Sequence, residues 1–403
     1  PLVDITTRVA TVASIKYPMA GMTSHQVKVA VYDQESHNTI YLKTGEPLDH
    51  YLTNIAWTPD EKYILVAELN RGQNHMKMNL YDAASGDLVK TLFEETNSRY
   101  VEPLHPAIFL PNEPHKFLWR SQRDGFDHFY LYDISGKLYG EVGNGPWIVL
   151  DFLGFTKDGK NILYTSTQNS PIEVNVYKQN LKNQKIERLT KLDGSHTPNV
   201  NFTSGLFMDR YSSSTIPNRI SIVSFNGQEK RVLINAQNPL AAYKMPEMSI
   251  FKIKAADDST DLYCRLIKPI DFDSTKKYPV IVYVYGGPHL QLVNNDWLAG
   301  ARLWEYYMAQ KGYIMFTLDN RGSSNRGFAF ESVIHRNLGV NEVADQMRGI
   351  DYLLKQPFVD SSRIGVHGWS FGGFLTTSLM LKENKVFKVG VAGGPVIDWK
   401  LYE

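Results

Sequence analysis

Apolar and polar residues alternate in short runs over the first 240 or so residues, which is the period of half-buried β-strands. The runs form a repeated unit of an aromatic residue, a polar turn and a strand, followed by two more strands joined by a tight turn. Equivalent tyrosines of successive copies lie about 45 to 51 residues apart, a spacing typical of four-stranded propeller blades: Tyr32, Tyr81, Tyr132 and Tyr177. The pattern predicts a partial β-propeller over residues 1–245, with an all-β sandwich as the alternative.

The hydrophobic pattern changes near residue 245. Almost continuously apolar runs, such as the one from Tyr278 to Val284, now alternate with longer stretches of helical period. Helices are predicted at 297–312, 341–356 and 371–384. Alternating strands and helices indicate a mostly parallel sheet with helices on both faces, so residues 246–403 are predicted to form an α/β domain.

One tight turn in this second region has the pattern of a nucleophile elbow. Gly368-Trp369-Ser370-Phe371-Gly372 reads G-x-S-x-G, preceded by a predicted strand and followed by a predicted helix. In such a turn the serine hydroxyl stands clear of the sheet, and the flanking glycines have no Cβ to collide. We therefore interpret Ser370 as a catalytic nucleophile, and a buried turn of small residues is the alternative.

An acyl-transfer site of this kind also needs two donors to its oxyanion. The first is expected to be the backbone N–H of Phe371, the residue after the serine. The second usually comes from a loop after an earlier strand, and Tyr285 leads into such a loop, Gly286-Gly287-Pro288. From spacing alone, Tyr285 is equally well a donor or an ordinary aromatic residue at the end of a strand.

Composition excludes several other classes of protein. The 403 residues carry a formal net charge of +1, which gives no overall bias towards nucleic acid or an anionic membrane. No apolar run approaches the ~18 residues of a membrane-spanning helix. The single cysteine, Cys264, allows no internal disulfide and is expected to be buried on a strand. No sequence motif for a metal or a cofactor is present, and we expect neither.

Three motifs in order resemble the prolyl oligopeptidase family of serine peptidases: "VYGGP" at Val284, "DNRGSSNRG" at Asp319 and "GWSFGG" at Gly368. Together with the preceding propeller they are most similar to its dipeptidyl peptidase IV branch, which includes bacterial prolyl tripeptidyl peptidases. The resemblance implies a β-propeller followed by an α/β-hydrolase domain, and a serine exopeptidase without a cofactor. It implies release of N-terminal Xaa-Pro dipeptides, a homodimer, and a periplasmic or cell-surface location.

The same resemblance assigns roles to individual residues. Tyr285 becomes the oxyanion tyrosine, and an acid near the pocket, Glu403, is a candidate partner for the substrate ammonium. Four residues are expected to wall the pocket for the proline ring: Phe371, Val396, Trp399 and Tyr402. Tripeptidyl release and a non-catalytic peptide-binding protein of the same fold stay open as alternatives, and an esterase is a lesser one. Glu94 and Glu95, which look like a glutamate pair for an ammonium group, are interpreted as a solvated turn.

The histidine of the expected Ser–Asp–His triad does not follow Ser370 in these residues. His367 precedes the elbow on its strand, His289 and His335 lie in earlier loops without a supporting pattern, and Asp398 is interpreted as a helix cap. Because the chain also lacks an initiator methionine, we expect a piece of a longer protein whose hydrolase domain is truncated at its C-terminus. Alone, it is expected to be inactive.

Overall fold

The computed structural model of the protein describes residues 2–16 and 19–402. The first part of the chain consists of antiparallel sheets. Two hairpins come first: β1 (Leu2–Asp4) with β2 (Thr11–Ala13), and β3 (Ala30–Tyr32) with β4 (Thr39–Tyr41). Four four-stranded sheets follow: β5–β8 (Tyr51–Trp57, Tyr63–Leu69, His75–Asp82, Leu88–Thr96), β9–β12 (Ile108–Phe109, Lys116–Ser121, His128–Asp133, Leu138–Val142), β13–β16 (Val149–Phe155, Asn161–Ser166, Asn175–Asn180, Ile186–Arg188) and β17–β20 (Ser195–Asn201, Leu206–Ser212, Arg219–Ser224, Glu229–Asn235).

Apolar clusters join each of these sheets to the next, as the blades of a propeller require. Leu65 and Met78 of the β5–β8 sheet pack with Phe117 and Trp119 of the β9–β12 sheet. Phe129 packs in turn with Tyr164 of the third sheet, and Val176 of that sheet packs with Phe207 of the fourth. Each blade buries its faces only against its neighbours. The predicted propeller of four-stranded blades is confirmed. Tyr81, Tyr132 and Tyr177 lie on the third strand of their blades, and Tyr32 lies on the first strand of the β3–β4 hairpin.

The second part of the chain is a six-stranded sheet with helices on both faces. Its strands are β21 (Met248–Lys254), β22 (Asp261–Ile267), β23 (Tyr278–Val284), β24 (Ile314–Leu318), β25 (Val359–Trp369) and β26 (Phe387–Gly393), in the spatial order β21-β22-β24-β23-β25-β26. Strands β24, β23, β25 and β26 are parallel, as predicted for an α/β-hydrolase, whereas β21 and β22 add an antiparallel edge. The domain boundary near residue 245 stays a prediction.

The helices pack on opposite faces of this sheet. They are α1 (Leu303–Gln310), α2 (Phe328–Glu331), α3 (Asn341–Leu354) and α4 (Phe371–Lys382), with short 3-10 turns at Trp297–Gly300, Ser332–Ile334 and Trp399–Leu401. Helices α3 and α4 cover one face, where Val282, Phe316 and Val366 are buried with Leu353 and Leu375. Helix α1 covers the other face. Cys264 is buried on β22, as expected.

The predicted helix over 297–312 is wrong at its beginning. Only residues 303–310 form an α-helix, because Leu298 and Ala299 adopt positive φ angles of 61° and 57° and Ala301 is extended. This irregular segment is held by a buried arginine on β22. Arg265 donates to the carbonyl oxygens of Leu292 (2.9 Å) and Ala299 (2.7 Å) and to Glu305 Oε2 (2.7 Å). Tertiary hydrogen bonds therefore replace the helical ones here.

Replacing Arg265 with methionine is expected to lower the thermal midpoint of the hydrolase-domain transition by roughly 10 °C. The Arg265 side chain is 1% exposed and Glu305 is 2% exposed, so the substitution leaves a carboxylate buried without its partner. Differential scanning calorimetry of the full-length protein measures the midpoint. The matched control is Arg348→Met, which removes an exposed pair with Asp258 and should change the midpoint very little. Equal shifts for the two variants would contradict this prediction.

Candidate active site

Ser370 lies in a sharp turn between strand β25 and helix α4. Its φ and ψ angles are 59° and −116°, a conformation that a residue with a Cβ rarely adopts. Its N–H donates to the Gly393 carbonyl (2.8 Å), and its own carbonyl accepts from the Phe374 N–H (3.0 Å). Strand β26, which ends at Gly393, and helix α4 therefore hold the strained turn in place. The Ser370 side chain is exposed, as the elbow pattern predicts.

The glycines of the elbow allow the end of strand β23 to approach it. A Cβ on Gly372 would lie 2.3 Å from the Val284 carbonyl oxygen and 3.1 Å from the Tyr285 Cα. A Cβ on Gly368 would lie 2.5 Å from the same oxygen. Because both positions lack a side chain, Tyr285 begins its loop directly beside the serine. The Phe371 N–H is at the first position of α4, where a helix offers no internal acceptor.

The motif that follows β24 fixes the loop carrying Tyr285. Asp319 is buried and accepts from the N–H groups of Leu292 (2.9 Å) and Val293 (2.8 Å), and burial raises its pKa to about 6. Asn320 Nδ2 donates to the Gly286 carbonyl (3.0 Å). A Cβ at Gly286, whose φ is 75°, would meet Asn320 Oδ1 at 2.6 Å. The "DNRG" residues thus act as the support of the glycine turn.

A cavity of about 880 Å³ opens at the elbow. Its wall brings together the residues predicted for the site: Tyr285, Ser370, Phe371, Val396, Trp399 and Tyr402. The Trp399 ring is central, with ring-centroid distances of 5.2 Å to Phe371, 5.3 Å to Phe374 and 5.9 Å to Tyr402. Together these rings form an apolar slot beside Ser370. Asp398 accepts from the Lys400 N–H (3.2 Å) and caps the 3-10 turn of Trp399, as predicted. Glu403 lies outside the described residues.

Within the described residues, the Ser370 hydroxyl makes no hydrogen bond to a histidine. His367 is a strand residue, as predicted: its Nδ1 lies 2.8 Å from the Val391 carbonyl, and its ring packs on Tyr283 and Trp304. His289 and His335 both line the cavity. Their recorded partners are Glu102 and Glu331 for His289 and the Tyr100 ring for His335. The geometry thus pairs none of these three histidines with the serine.

A charged cluster in the same cavity could not be recognised in the sequence. His289 Nε2 lies 3.3 Å from Glu102 Oε1, on the segment between two blades, and its Nδ1 lies 3.2 Å from Glu331 Oε1 of helix α2. The backbone N–H of His289 also donates to Glu331 Oε1 (3.1 Å). This cluster joins the propeller to the loop that carries Tyr285. Its members are far apart in the chain, so only the fold reveals it.

His289 is expected to make the junction between the two domains pH-dependent. The hydrogen bond to Glu102 raises the pKa of His289 against the opposing effect of burial. Because the pKa of His289 is raised in the folded state, protonated His289 stabilises the fold. This stabilisation is fully present below the ordinary pKa of about 6.5 and is lost as the pH rises through the raised value. His289→Gln should therefore lower the melting temperature at pH 6, with little effect at pH 9.

Calorimetry at the two pH values measures this difference. The groups that face His289 are Glu102 and Glu331, and burial raises the pKa of Glu331. His75→Gln is the control because His75 forms a half-exposed pair with a different acid, Glu94 (2.6 Å). A melting temperature of His289→Gln that differs from the wild type equally at both pH values would contradict the prediction.

Glu94 and Glu95 do not form a solvated turn, so that interpretation is wrong. Both lie within strand β8, and the Glu95 side chain is only 10% exposed. Glu95 accepts from Trp119 Nε1 (2.7 Å), Ser121 Oγ (2.7 Å) and the Arg123 guanidinium (2.5 Å). The Glu95 carboxylate therefore links two blades. The sequence interpretation failed because it placed a turn at residues that continue strand β8 as far as Thr96.

The family model described as the dipeptidyl peptidase IV N-terminal region matches residues 1–218, and the model of the prolyl oligopeptidase family matches residues 301–403. The chain belongs to the dipeptidyl peptidase IV branch of the prolyl oligopeptidase family. The propeller as far as strand β18 and the elbow thus fall in the two matched segments. The resemblance inferred from the motifs is confirmed at this level.

Relatives of this branch occur among animals, fungi and bacteria. The chain is 27% identical to mouse dipeptidyl peptidase 8, over 88% of the chain and 46% of the relative, and 28% identical to the probable dipeptidyl-aminopeptidase B of Arthroderma otae, over 97% and 44%. The crystal structure of a putative dipeptidyl aminopeptidase IV from Bacteroides ovatus is 46% identical, with a TM-score of 0.94, over the whole chain and 60% of that structure. Porphyromonas gingivalis dipeptidyl peptidase 4 is 30% identical, with a TM-score of 0.91, over the whole chain and 57% of that structure.

The chain therefore spans about half the length of the curated relatives it matches. In the described part of the chain, no helix combines the length and the apolar character that crossing a bilayer requires.

Proposed function

We propose that the full-length protein is a serine exopeptidase that releases N-terminal Xaa-Pro dipeptides from peptides. The observation that carries the proposal is the apolar slot beside Ser370, formed by the rings of Phe371, Trp399 and Tyr402 together with Val396. A proline ring is compact, apolar and rigid, and aromatic faces bind such a ring with little loss of conformational entropy. The names of the relatives, which are dipeptidyl peptidases, support the release of dipeptides.

In this proposal the Ser370 Oγ attacks the carbonyl carbon of the proline residue. The hydroxyl proton goes through a base to the departing amine, the peptide C–N bond breaks, and the dipeptide remains as an ester on Ser370. Water then hydrolyses the ester and restores the hydroxyl. The oxyanion of both steps is stabilised by the Tyr285 hydroxyl and the Phe371 N–H. The described histidines make no hydrogen bond to the serine, so the proposal assigns the base to none of them.

Two further residues of the cavity fit binding of a charged chain end. Glu102 and Glu331 place two carboxylates in the cavity wall near His289. Glu403 stays a prediction as a partner of the substrate ammonium.

Tripeptidyl release is the second candidate, because a cavity of about 880 Å³ can hold more than a dipeptide.

Kinetics on two chromogenic substrates test the proposal. The full-length protein should hydrolyse Gly-Pro-p-nitroanilide with a higher kcat/KM than Ala-Ala-Pro-p-nitroanilide, and a blocked N-terminus should abolish the reaction. The opposite ratio would assign tripeptidyl release. A protein that binds Gly-Pro peptides but neither cleaves them nor reacts at Ser370 with a fluorophosphonate would be a non-catalytic binder. Faster cleavage of the Gly-Pro ester alone would indicate an esterase.

The resemblance to the family supports three more parts of the proposal. We place the domain boundary near residue 245, expect a homodimer, and expect a periplasmic or cell-surface location. Size-exclusion chromatography with light scattering tests the oligomeric state, and fractionation of cells tests the location.

A further inference from the structure

Three potential metal ligands meet on the blade β9–β12, on a part of the propeller that does not line the cavity at Ser370. Asp124 lies in the turn between β10 and β11, His128 begins β11, and Glu141 lies on β12. In the antiparallel register Glu141 is opposite Tyr130, and His128 is two residues before Tyr130 on the same face. The sheet therefore places Glu141 diagonally across from His128, and the turn folds Asp124 back over both.

The donor atoms of this triad are arranged around one point. His128 Nδ1 lies 2.9 Å from Asp124 Oδ2 and 3.0 Å from Glu141 Oε1, and all three atoms lie within 4.8 Å of one another. Ligands that share a divalent ion at bonds of about 2.1 Å are about 3.0 to 3.5 Å apart. The two distances from His128 Nδ1 are close to the lower end of that range. A small movement of the carboxylates away from the imidazole would bring both distances into the range.

The triad is also incompletely satisfied without an additional group. The His128 side chain is fully buried, and its Nδ1 faces both Asp124 Oδ2 and Glu141 Oε1 although it carries one proton at most. Because this nitrogen is hydrogen-bonded to Asp124, the buried Glu141 Oε1 is left without a well-oriented donor among the described residues. Two carboxylates share a single imidazole here. Arg123, which precedes Asp124 in the sequence, donates its guanidinium hydrogen bonds to Glu95 and Tyr132 instead.

We propose that Asp124, His128 and Glu141 form a binding site for a divalent transition-metal ion, independent of the site at Ser370. One imidazole nitrogen with two carboxylate oxygens suits Zn²⁺ or Mn²⁺, and both carboxylates are partly exposed, so water completes the coordination. Metal binding places the imidazole proton on His128 Nε2, which is buried without an acceptor among the described residues. An acceptor for this second N–H normally strengthens metal binding. Because His128 has none among the described residues, the expected dissociation constant is only on the order of 10 µM.

The site has a structural consequence for the contact between the two domains. Asp124 begins the turn whose next residue, Gly125, accepts a hydrogen bond from the Phe328 N–H (2.8 Å) at the start of helix α2. Phe126 of the same turn packs closely on Gly327: a Cβ on Gly327 would lie 2.6 Å from the Phe126 ring. Helix α2 carries Glu331, which lines the large cavity. A metal ion at Asp124 thus fixes the turn on which this segment of the hydrolase domain rests.

Isothermal titration of the full-length protein with Zn²⁺, after dialysis against a chelator, tests the proposal. A saturable site is expected for the wild type, with Mg²⁺ as the comparison ion that binds far more weakly. Asp124→Asn and Glu141→Gln should each weaken Zn²⁺ binding at least about 10-fold. Neither substitution changes the size of the side chain, so the melting temperature in chelator should stay close to that of the wild type. His128 is left unchanged in this test because it is fully buried.

His75→Gln is the matched control for zinc held by exposed histidine pairs, since His75 and Glu94 form such a pair on another blade. This variant should retain the site. Hydrogen exchange gives an independent measurement: Zn²⁺ should slow exchange of the Phe328 amide in the wild type and not in Glu141→Gln. Absence of a saturable zinc site, or a site unchanged by both Asp124→Asn and Glu141→Gln, would overturn the proposal.

Discussion

Replacing Ser370 with alanine in the full-length protein is expected to lower kcat/KM for Gly-Pro-p-nitroanilide by about 10⁴-fold or more. The reason is chemical, because alanine offers no oxygen to form the ester. The fold should be unaffected. Serine and alanine both carry a Cβ, so the strain at φ 59° is the same. Ser370 is exposed, and its hydroxyl makes no hydrogen bond to any of the described residues. The expected KM is therefore close to that of the wild type.

Steady-state kinetics and labelling with a fluorophosphonate measure this effect. The wild type should be labelled at Ser370 and the Ser370→Ala variant should not. Ser362→Ala is the matched control, since Ser362 is an exposed serine of strand β25 that does not line the cavity. A Ser370→Ala variant with more than about a hundredth of the wild-type kcat/KM would show that another group performs the reaction.

The order of the elements and the position of the elbow could be predicted from local sequence. Apolar alternation with tyrosines at a fixed interval predicted the blades, because each blade repeats the same burial pattern. The glycines at 368 and 372 predicted the turn because the elbow itself leaves no room for a side chain: a Cβ on Gly368 would lie 2.4 Å from the Gly372 carbonyl oxygen. Asp398 was recognisable as a cap for the same reason: its partner, the Lys400 N–H, is two residues away.

The features that the sequence did not reveal depend on contacts between distant segments. The beginning of α1 is irregular because Arg265, on another strand, bonds to the Ala299 carbonyl. Glu95 is buried because its partner Trp119 lies on the next blade. The triad of Asp124, His128 and Glu141 depends on the register between β11 and β12. Local period and propensity carry no signal for such contacts.

The Tyr285 hydroxyl is expected to stabilise the transition state and not the bound substrate. Replacing Tyr285 with phenylalanine in the full-length protein should lower kcat by about 10² to 10³-fold and leave KM nearly unchanged. The ring stays in place because it packs against Phe371, with centroids 6.0 Å apart, and the substitution keeps that contact. Only the hydrogen bond to the developing oxyanion is lost. Burial raises the pKa of Tyr285, and Tyr402 raises it further, so the hydroxyl remains a donor at neutral pH.

This distinguishes an oxyanion donor from a merely structural tyrosine. If the hydroxyl only supported the fold, its loss would lower the melting temperature and raise KM. If the Tyr285 hydroxyl is a donor, the ratio of the wild-type kcat to the Tyr285→Phe kcat should be the same from pH 6 to pH 9, because the hydroxyl stays protonated throughout. Tyr283→Phe is the matched control: Tyr283 lies two residues earlier on β23 and packs on Trp304 and His367, away from the cavity. A loss of kcat in Tyr283→Phe as large as that in Tyr285→Phe would remove the special role of Tyr285, since both substitutions delete one hydroxyl from the same strand end.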